Sequence, residues 1–154
     1  MARLEQMPEP MRSHIAKIKL PKFENLPWVA GPPLPNRRVA IVSTAGLHQR
    51  GDRPFTFESG DTYRVIAGDI AAKDLMMSHV STNFDRSGFQ QDWNLIFPLD
   101  RLRELCDEGY IESAALFHYS FMGASDPVGM ETAARKLAGL LQNDNVNAVL
   151  LVPV

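Results

Sequence analysis

The side chains best suited to nucleophilic attack or proton transfer near neutral pH are four histidines and one cysteine, and three of the histidines keep similar company. His48 follows Ser43, Thr44 and Gly46. His79 lies between Ser78 and Ser81, with Thr82 next, and His118 precedes Ser120 and Gly123. Imidazole beside hydroxyl can orient a small polar ligand or pass it a proton. A histidine on a strand is more often hydrogen-bonded structure than a catalyst. Ser43 or Ser81 as a hydrolase nucleophile lacks the GxSxG context. The residues singled out for substrate binding are Ser43, Thr44, His48, His79, Ser81, Asp85 and His118.

Other chemistries are poorly supported. His48, Asp52, His79 and Asp85 are of types that suit zinc or iron, but no compact motif such as HExxH occurs and no metal ligand is assigned. STAGLHQRG is neither a GxGxxG dinucleotide loop nor a GxxxxGK[ST] phosphate loop. Asp92 and Asn94, like Asp85 and Arg86, read as loop residues held by side-chain to backbone bonds. Cys106 sits in FPLDRLRELCDEG, where Leu99, Leu102 and Leu105 recur at helical spacing, so it is expected in the core. A single cysteine allows neither an internal disulfide nor a two-thiol redox reaction.

The elements that must position these residues follow from apolar runs and their punctuation. RRVAIVSTAG reads as a buried parallel strand that feeds a loop, and DLMMSHVS, SAALFHYSFMG and NAVLLVPV repeat the shape. Between them, one helix is expected from Pro98 to Gly109. A second is expected from an Asp126 N-cap, through Met130, Ala133, Leu137 and Leu141, to QNDN. Alternating strands and helices predict an α/β fold: an open, mainly parallel, doubly wound sheet of Rossmann-like or flavodoxin-like kind, with helices on both faces. Ligands of such sheets settle at the carboxyl ends of the strands, where three of the four histidines are expected.

Residues 46 to 68 lack this rhythm and are expected to form a long loop with a short strand at 62 to 66. Residues 1 to 36 hold seven of the eleven prolines and are expected to be an extended arm, with a short helix around 11 to 19 and Trp28 pinning it to the body. The domain proper is expected over 37 to 154.

A formal net charge of -2 gives no field that draws the chain to nucleic acid or an anionic membrane. No apolar run reaches the length of a membrane span and the N-terminus has no signal-peptide core, so a cytoplasmic location is expected.

Together, VAIVSTAGLHQRGDRPF, GDTYRVI, SHVSTNFDRSGFQQDWNLIFPLDRLRELCDEGYI and ALFHYSFMGA resemble the selenoprotein B family of glycine, sarcosine, betaine and D-proline reductases. The combination of SHVS, DxN, FPLDRL and HYSFMG is more specific than any piece, and the resemblance runs over about 37 to 154. It implies a reductase whose reactive selenocysteine or cysteine stands just after a strand, with a cysteine two residues on. It further implies a small-molecule amine substrate whose carbon–nitrogen bond is cleaved with electrons from a thiol reductant, and a pyruvoyl-containing partner subunit in the glycine-type enzymes.

No redox pair occurs in this sequence. The resemblance places that motif directly after NAVLLVPV, and the expectation is that Val154 precedes a UGA codon read as a stop, leaving a truncated chain. The alternatives are a non-catalytic α/β binding or assembly subunit, with homo-oligomerisation through exposed strand and helix faces, and, less favoured, a metal-dependent hydrolase.

Overall fold

The computed structural model describes residues 4–24, 26, 28–56, 62–81 and 85–154; Thr82 lies outside the described residues. The main sheet is built on β1 (Arg38–Ser43), whose run of β-branched and small residues is buried at Val39, Ala40, Ile41 and Ser43. On one side, β7 (Ala148–Val152) pairs with it in parallel from Val39↔Ala148 to Ser43↔Val152. On the other, β5 (Ser113–Ala114) pairs with its first half and β6 (Phe117–Ser120) with its second, both in parallel. The expected strand SAALFHYSFMG is thus two short pieces with a break at 115–116.

β3 (Arg64–Ala67) joins the far side of β6 in antiparallel sense, close to the short strand expected at 62 to 66. The sheet is therefore mixed and mostly parallel, as an open α/β fold requires.

Two helices cover opposite faces. α3 (Leu99–Asp107) buries Leu99 and Leu102 in a cluster with Val39, Ile41, Ile66 and Phe97, and Cys106 packs at its margin. α4 (Glu131–Asn143) buries Ala133 and Leu137 against Tyr119 on β6 and Phe121 just beyond it. Asn145 closes α4 in the left-handed conformation at φ 54°, with the Val146 amide donating back to the Leu141 carbonyl. Asn147 then fixes the entry of β7: its Oδ1 accepts from the Arg38 amide at 3.0 Å while its own amide donates to the Arg38 carbonyl.

Four expectations need correction. DLMMSHVS does not enter the main sheet, because only Leu75–Met77 (β4) is extended, and it pairs antiparallel with β2 (Leu47–Gln49) in a separate ribbon. That ribbon also puts a strand where a loop was expected. Asp126 does not cap α4; its Oδ1 accepts from the Val128 amide in a turn and the helix starts later, at Glu131. In the arm, α1 (Glu9–Ala16) forms near its expected place, but Trp28 is 86% exposed and pins nothing. Leu20, Phe23, Leu26 and Val29 are exposed with it, as befits a proline-punctuated segment too extended to gather an apolar face. The remaining helix, α2 (Ser87–Gln91), is one turn near the start of the DxN motif.

Candidate functional site at the carboxyl edge of the sheet

Most of the singled-out residues have their polar atoms committed to the backbone. Ser43 is fully buried; its hydroxyl donates to the Ile96 carbonyl at 2.9 Å and accepts from the Ala45 amide at 3.2 Å. Ser120 does the same work across the edge, its Oγ accepting from the Leu47 amide at 2.8 Å. His48 is buried and its Nδ1 lies 3.0 Å from the Gln49 carbonyl, so that nitrogen carries the proton. His79 is buried; its Nδ1 accepts from the Ser81 amide at 3.2 Å and its carbonyl accepts from Arg86. Burial first, then the Arg86 charge, push the His79 imidazole below its usual pKa. Asp85 is exposed, its Oδ1 accepting from the amide and hydroxyl of Ser87.

His118 is not at the strand edge. It lies opposite Ile66 in mid-strand, is fully buried, and stands edge-on to Phe97 at 5.8 Å. Its place explains its type. The ladder between β1 and the β5/β6 line breaks at 115–116, and there the Ile41 amide donates to His118 Nδ1 at 2.9 Å in place of a backbone carbonyl. Burial, more than the nearby cations Arg103 and Arg38, lowers this imidazole to about 4, so it is neutral at pH 7 and able to accept.

Asp144 and Arg38 secure the same break from outside. Asp144 Oδ2 accepts from the Leu116 amide at 2.7 Å, and its other oxygen pairs with Arg38, which also donates to the Ala114 carbonyl at 2.8 Å. Burial pushes the Asp144 carboxyl up, and the bonds from Arg38 and Leu116 more than reverse that, leaving it below the usual range.

The DxN and FPLDRL motifs are likewise structural. Asp92 Oδ1 accepts from the amide and the side chain of Asn94; Asn94 Oδ1 accepts from the Asp100 amide at the start of α3. Trp93 and Arg103 both donate to the Asp100 carboxylate, and Arg103 reaches the Gly68 and Ile70 carbonyls. Cys106 is raised by burial, the direction opposite to a reactive thiolate.

Thr44 is different. Its hydroxyl accepts from the Val154 amide at 2.8 Å and lies 3.3 Å from the Val154 carbonyl, while its own carbonyl accepts from the Gly123 amide at 2.8 Å. One side chain thus ties the end of β7 to β1, beside the turn after β6. Gly123 has no room for a Cβ, which would lie 2.8 Å from the Val154 carbonyl oxygen and 2.9 Å from that of Thr44. Gly46, at φ 67°, turns the chain out of β1 and packs against the His79 backbone.

Beyond Gly123, a cleft of about 440 Å³ opens between the loop Ala124, Ser125, Asp126 and the last turn of α1, with His14, Lys17, Ile18 and Lys19 on its arm side. Sequence reasoning missed these residues, since His14, Lys17 and Lys19 lie in a segment read as connector. The clue available was FMGASD, a run of small and polar residues just past a strand.

Among the described residues, no group of three or more His, Cys, Asp or Glu is placed to hold a metal ion, and no helix is long and apolar enough to cross a membrane.

Comparison with known proteins adds the following. The family described as glycine/sarcosine/betaine reductase selenoprotein B matches residues 11–154, reaching well into the arm that the motif resemblance left out. The D-proline reductase subunit gamma of Acetoanaerobium sticklandii is 34% identical over 120 residues, covering 77% of this chain and 49% of the relative. The sarcosine reductase complex component B subunit beta of Peptoclostridium acidaminophilum is 33% identical over 123 residues, covering 74% of this chain and 27% of the relative. The chain therefore spans half or less of the length of these relatives. No solved structure matches.

Proposed function

The chain belongs to the glycine/sarcosine/betaine reductase selenoprotein B family, and we propose that it serves as a subunit of a complex that reductively cleaves a carbon–nitrogen bond in glycine, sarcosine, betaine, D-proline or a related amine. The observation that carries this reading, beside the family match, is the fixed end of β7: Val154 is held by Thr44, and Gly123, close against it, is followed in the chain by the cleft residue Ala124. A selenocysteine or cysteine directly after Val154 would supply the nucleophile and, with an external dithiol, the two electrons that the cleavage consumes. The residues present fit such a group. Thr44 holds the Val154 amide and carbonyl through its hydroxyl, and Gly123 gives the strand end its close approach.

Cys106 cannot take that role from where it stands. It packs at the margin of the core on α3, with its thiol raised. His118 serves by staying neutral inside the sheet rather than by moving a proton to substrate. His14 and Ser125 in the cleft have groups suited to giving a proton to the leaving nitrogen.

Assembly fits the relatives' names, one a subunit gamma and the other a subunit of a complex component. β7 pairs with β1 alone among the described residues and exposes Val149, Leu150 and Leu151, so it is where we place the contact with a partner subunit. Whether that partner carries a pyruvoyl group depends on the substrate, being expected for the glycine-type enzymes. A second reading is favoured by the committed state of His48, His79 and His118: the chain as a binding or assembly subunit whose chemistry is carried elsewhere.

Two experiments test the proposal. The codon after Val154 should be UGA, or a cysteine codon, followed by coding sequence with a second cysteine; UAA or UAG there removes the redox residue. Co-expression with partner subunits, followed by dithiol-dependent assay on the four amines, should give product from at least one. No turnover on any would leave the assembly reading.

A further inference from the structure

The exposed apolar residues of the arm have neither a helical nor a strand period, yet Leu20, Phe23, Leu26 and Val29 recur at every third position, interspersed with Pro21 and Pro27. Each of the four is more than 70% exposed. Among the described residues, 19–32 belong to no helix or strand and make no backbone–backbone hydrogen bond. A polyproline helix has three residues per turn and no internal hydrogen bonds, so that winding would set the four side chains in one apolar row with steps of about 9 Å. Lys17, Lys19 and Lys22 against the single Glu24 make the start of this stretch positive.

The chain carries a surface of matching chemistry at the end of α3. There the Leu105 carbonyl accepts from the Tyr110 and Ile111 amides, which folds the following turn back on the helix. Leu105 and Tyr110 are exposed in this turn, and so are Asp107, Glu108 and Glu112, which form no ion pair among the described residues. The carboxyl end of the helix adds partial negative charge. Proline-rich segments dock on exposed aromatic rings, and carboxylates beside the ring select a basic one. The arm joins the body at this same corner, because the Glu112 and Ser113 amides donate to the Arg37 carbonyl. Followed back from Arg37 it leaves the patch behind: His14 and residues 17–19 line a cleft with residues 124–126, past the opposite, carboxyl end of the sheet. Arm root and patch at one corner suit a two-fold contact, in which each copy gives its arm to the other in the same geometry.

We propose that residues 20–29 of one copy dock, wound as a polyproline helix, on the Leu105–Tyr110 turn of a second copy, with the arm lysines toward Asp107, Glu108 and Glu112, and that the exchange is reciprocal. Phe23 and Trp28 from two arms would remove roughly 600–1,000 Å² from water. Leu20, Leu26 and Val29, with the surface they cover, bring the total into the range of about 1,200–2,000 Å² buried by stable interfaces. The contact lies apart from the β7 edge and does not depend on the reductase reading.

The test is sedimentation equilibrium of the full 154-residue chain from about 1 to 100 μM, at low and high salt. A dimer that weakens with salt is expected. Phe23→Ser with Leu26→Ser removes the arm row, and Tyr110→Ala with Glu112→Lys removes its dock. Each pair should weaken dimerisation about ten-fold or more with the unfolding midpoint unchanged, since all four side chains are exposed. Mixing the arm-defective with the dock-defective copy restores one of the two exchanged contacts, so heterodimers should form more tightly than either variant alone and more weakly than the parent. A chain that stays monomeric throughout, a dimer indifferent to either variant, or a mixture no tighter than its components would overturn the proposal. So would a dimer broken instead by Leu151→Lys, which would move the contact to β7, or an arm protected from proteolysis only after co-expression with partner subunits, which would give the arm to the partner.

Discussion

Two polar regions flank the same central strand and use their side chains in opposite ways. Where the β5/β6 line breaks, His118, Asp144 and Arg38 each answer a backbone group or one another, with only His118 Nε2 lacking a partner. At the carboxyl edge, Thr44 holds a strand end, and beyond it Lys17, Lys19 and Asp126 line an open cleft without ion pairs among the described residues. The first region resembles catalytic machinery by residue type and is structural. The second has plainer residues and lies beside an open cleft. Residue type alone, then, is a weaker guide to function than whether a polar group is already satisfied.

The strongest way to break the contrast is at the strand break. Asp144→Ala leaves Arg38 without its carboxylate and the Leu116 amide without an acceptor, and should cost about 3 kcal/mol in denaturant unfolding. A loss under about 0.5 kcal/mol would mean the break is not held this way.

Titration of His118 should be nearly as large. Its folded value is about 4 against 6.5 for the free side chain, so between those values the unfolded chain binds the extra proton. Stability is then whole above pH 6.5 and falls by roughly 3 kcal/mol as pH drops toward 4. Asp144 and Asp100, both held below the ordinary 3.8, lose their contributions only at lower pH. His118→Leu should flatten the profile between 6.5 and 4, and an unchanged slope would assign it to another group.

The edge should respond less in stability. Gly123→Ala forces a Cβ against two backbone oxygens and should cost about 2 kcal/mol. Thr44→Val removes the hydroxyl that secures Val154 and should cost about 1 kcal/mol, with faster amide exchange confined to the end of β7. Loss of protection spread across the sheet would show that Thr44 supports the fold rather than the strand end.

Much of this fold was legible in the sequence, and for identifiable reasons. The β1 and β7 runs and the α3 and α4 stripes bury enough apolar surface to declare themselves, and the spacing of Leu99, Leu102 and Cys106 placed α3. Short pairings did not. The three-residue strands β2 and β4 carry too few residues for a period, and they pair across a separation of more than twenty residues in the chain. The break in SAALFHYSFMG was invisible because the side chains that patch it, Arg38 and Asp144, come from 75 or more residues before and 28 residues after it in the chain. His118 looked like an edge residue for that reason, since a continuous strand would have carried it further along. Of the singled-out residues, Thr44 alone bonds the end of β7, while the cleft side chains came from an arm read as connector.

The central claim is that function resides at the Thr44 edge and that the buried histidine is structural. Measuring kcat/KM per folded molecule for the assembled reductase carrying either Thr44→Val or His118→Leu, well below both melting temperatures, tests it directly. The account predicts at least a ten-fold loss for Thr44→Val and a value within about two-fold of the parent for His118→Leu. A ten-fold loss with His118→Leu and an unaffected Thr44→Val enzyme would contradict it.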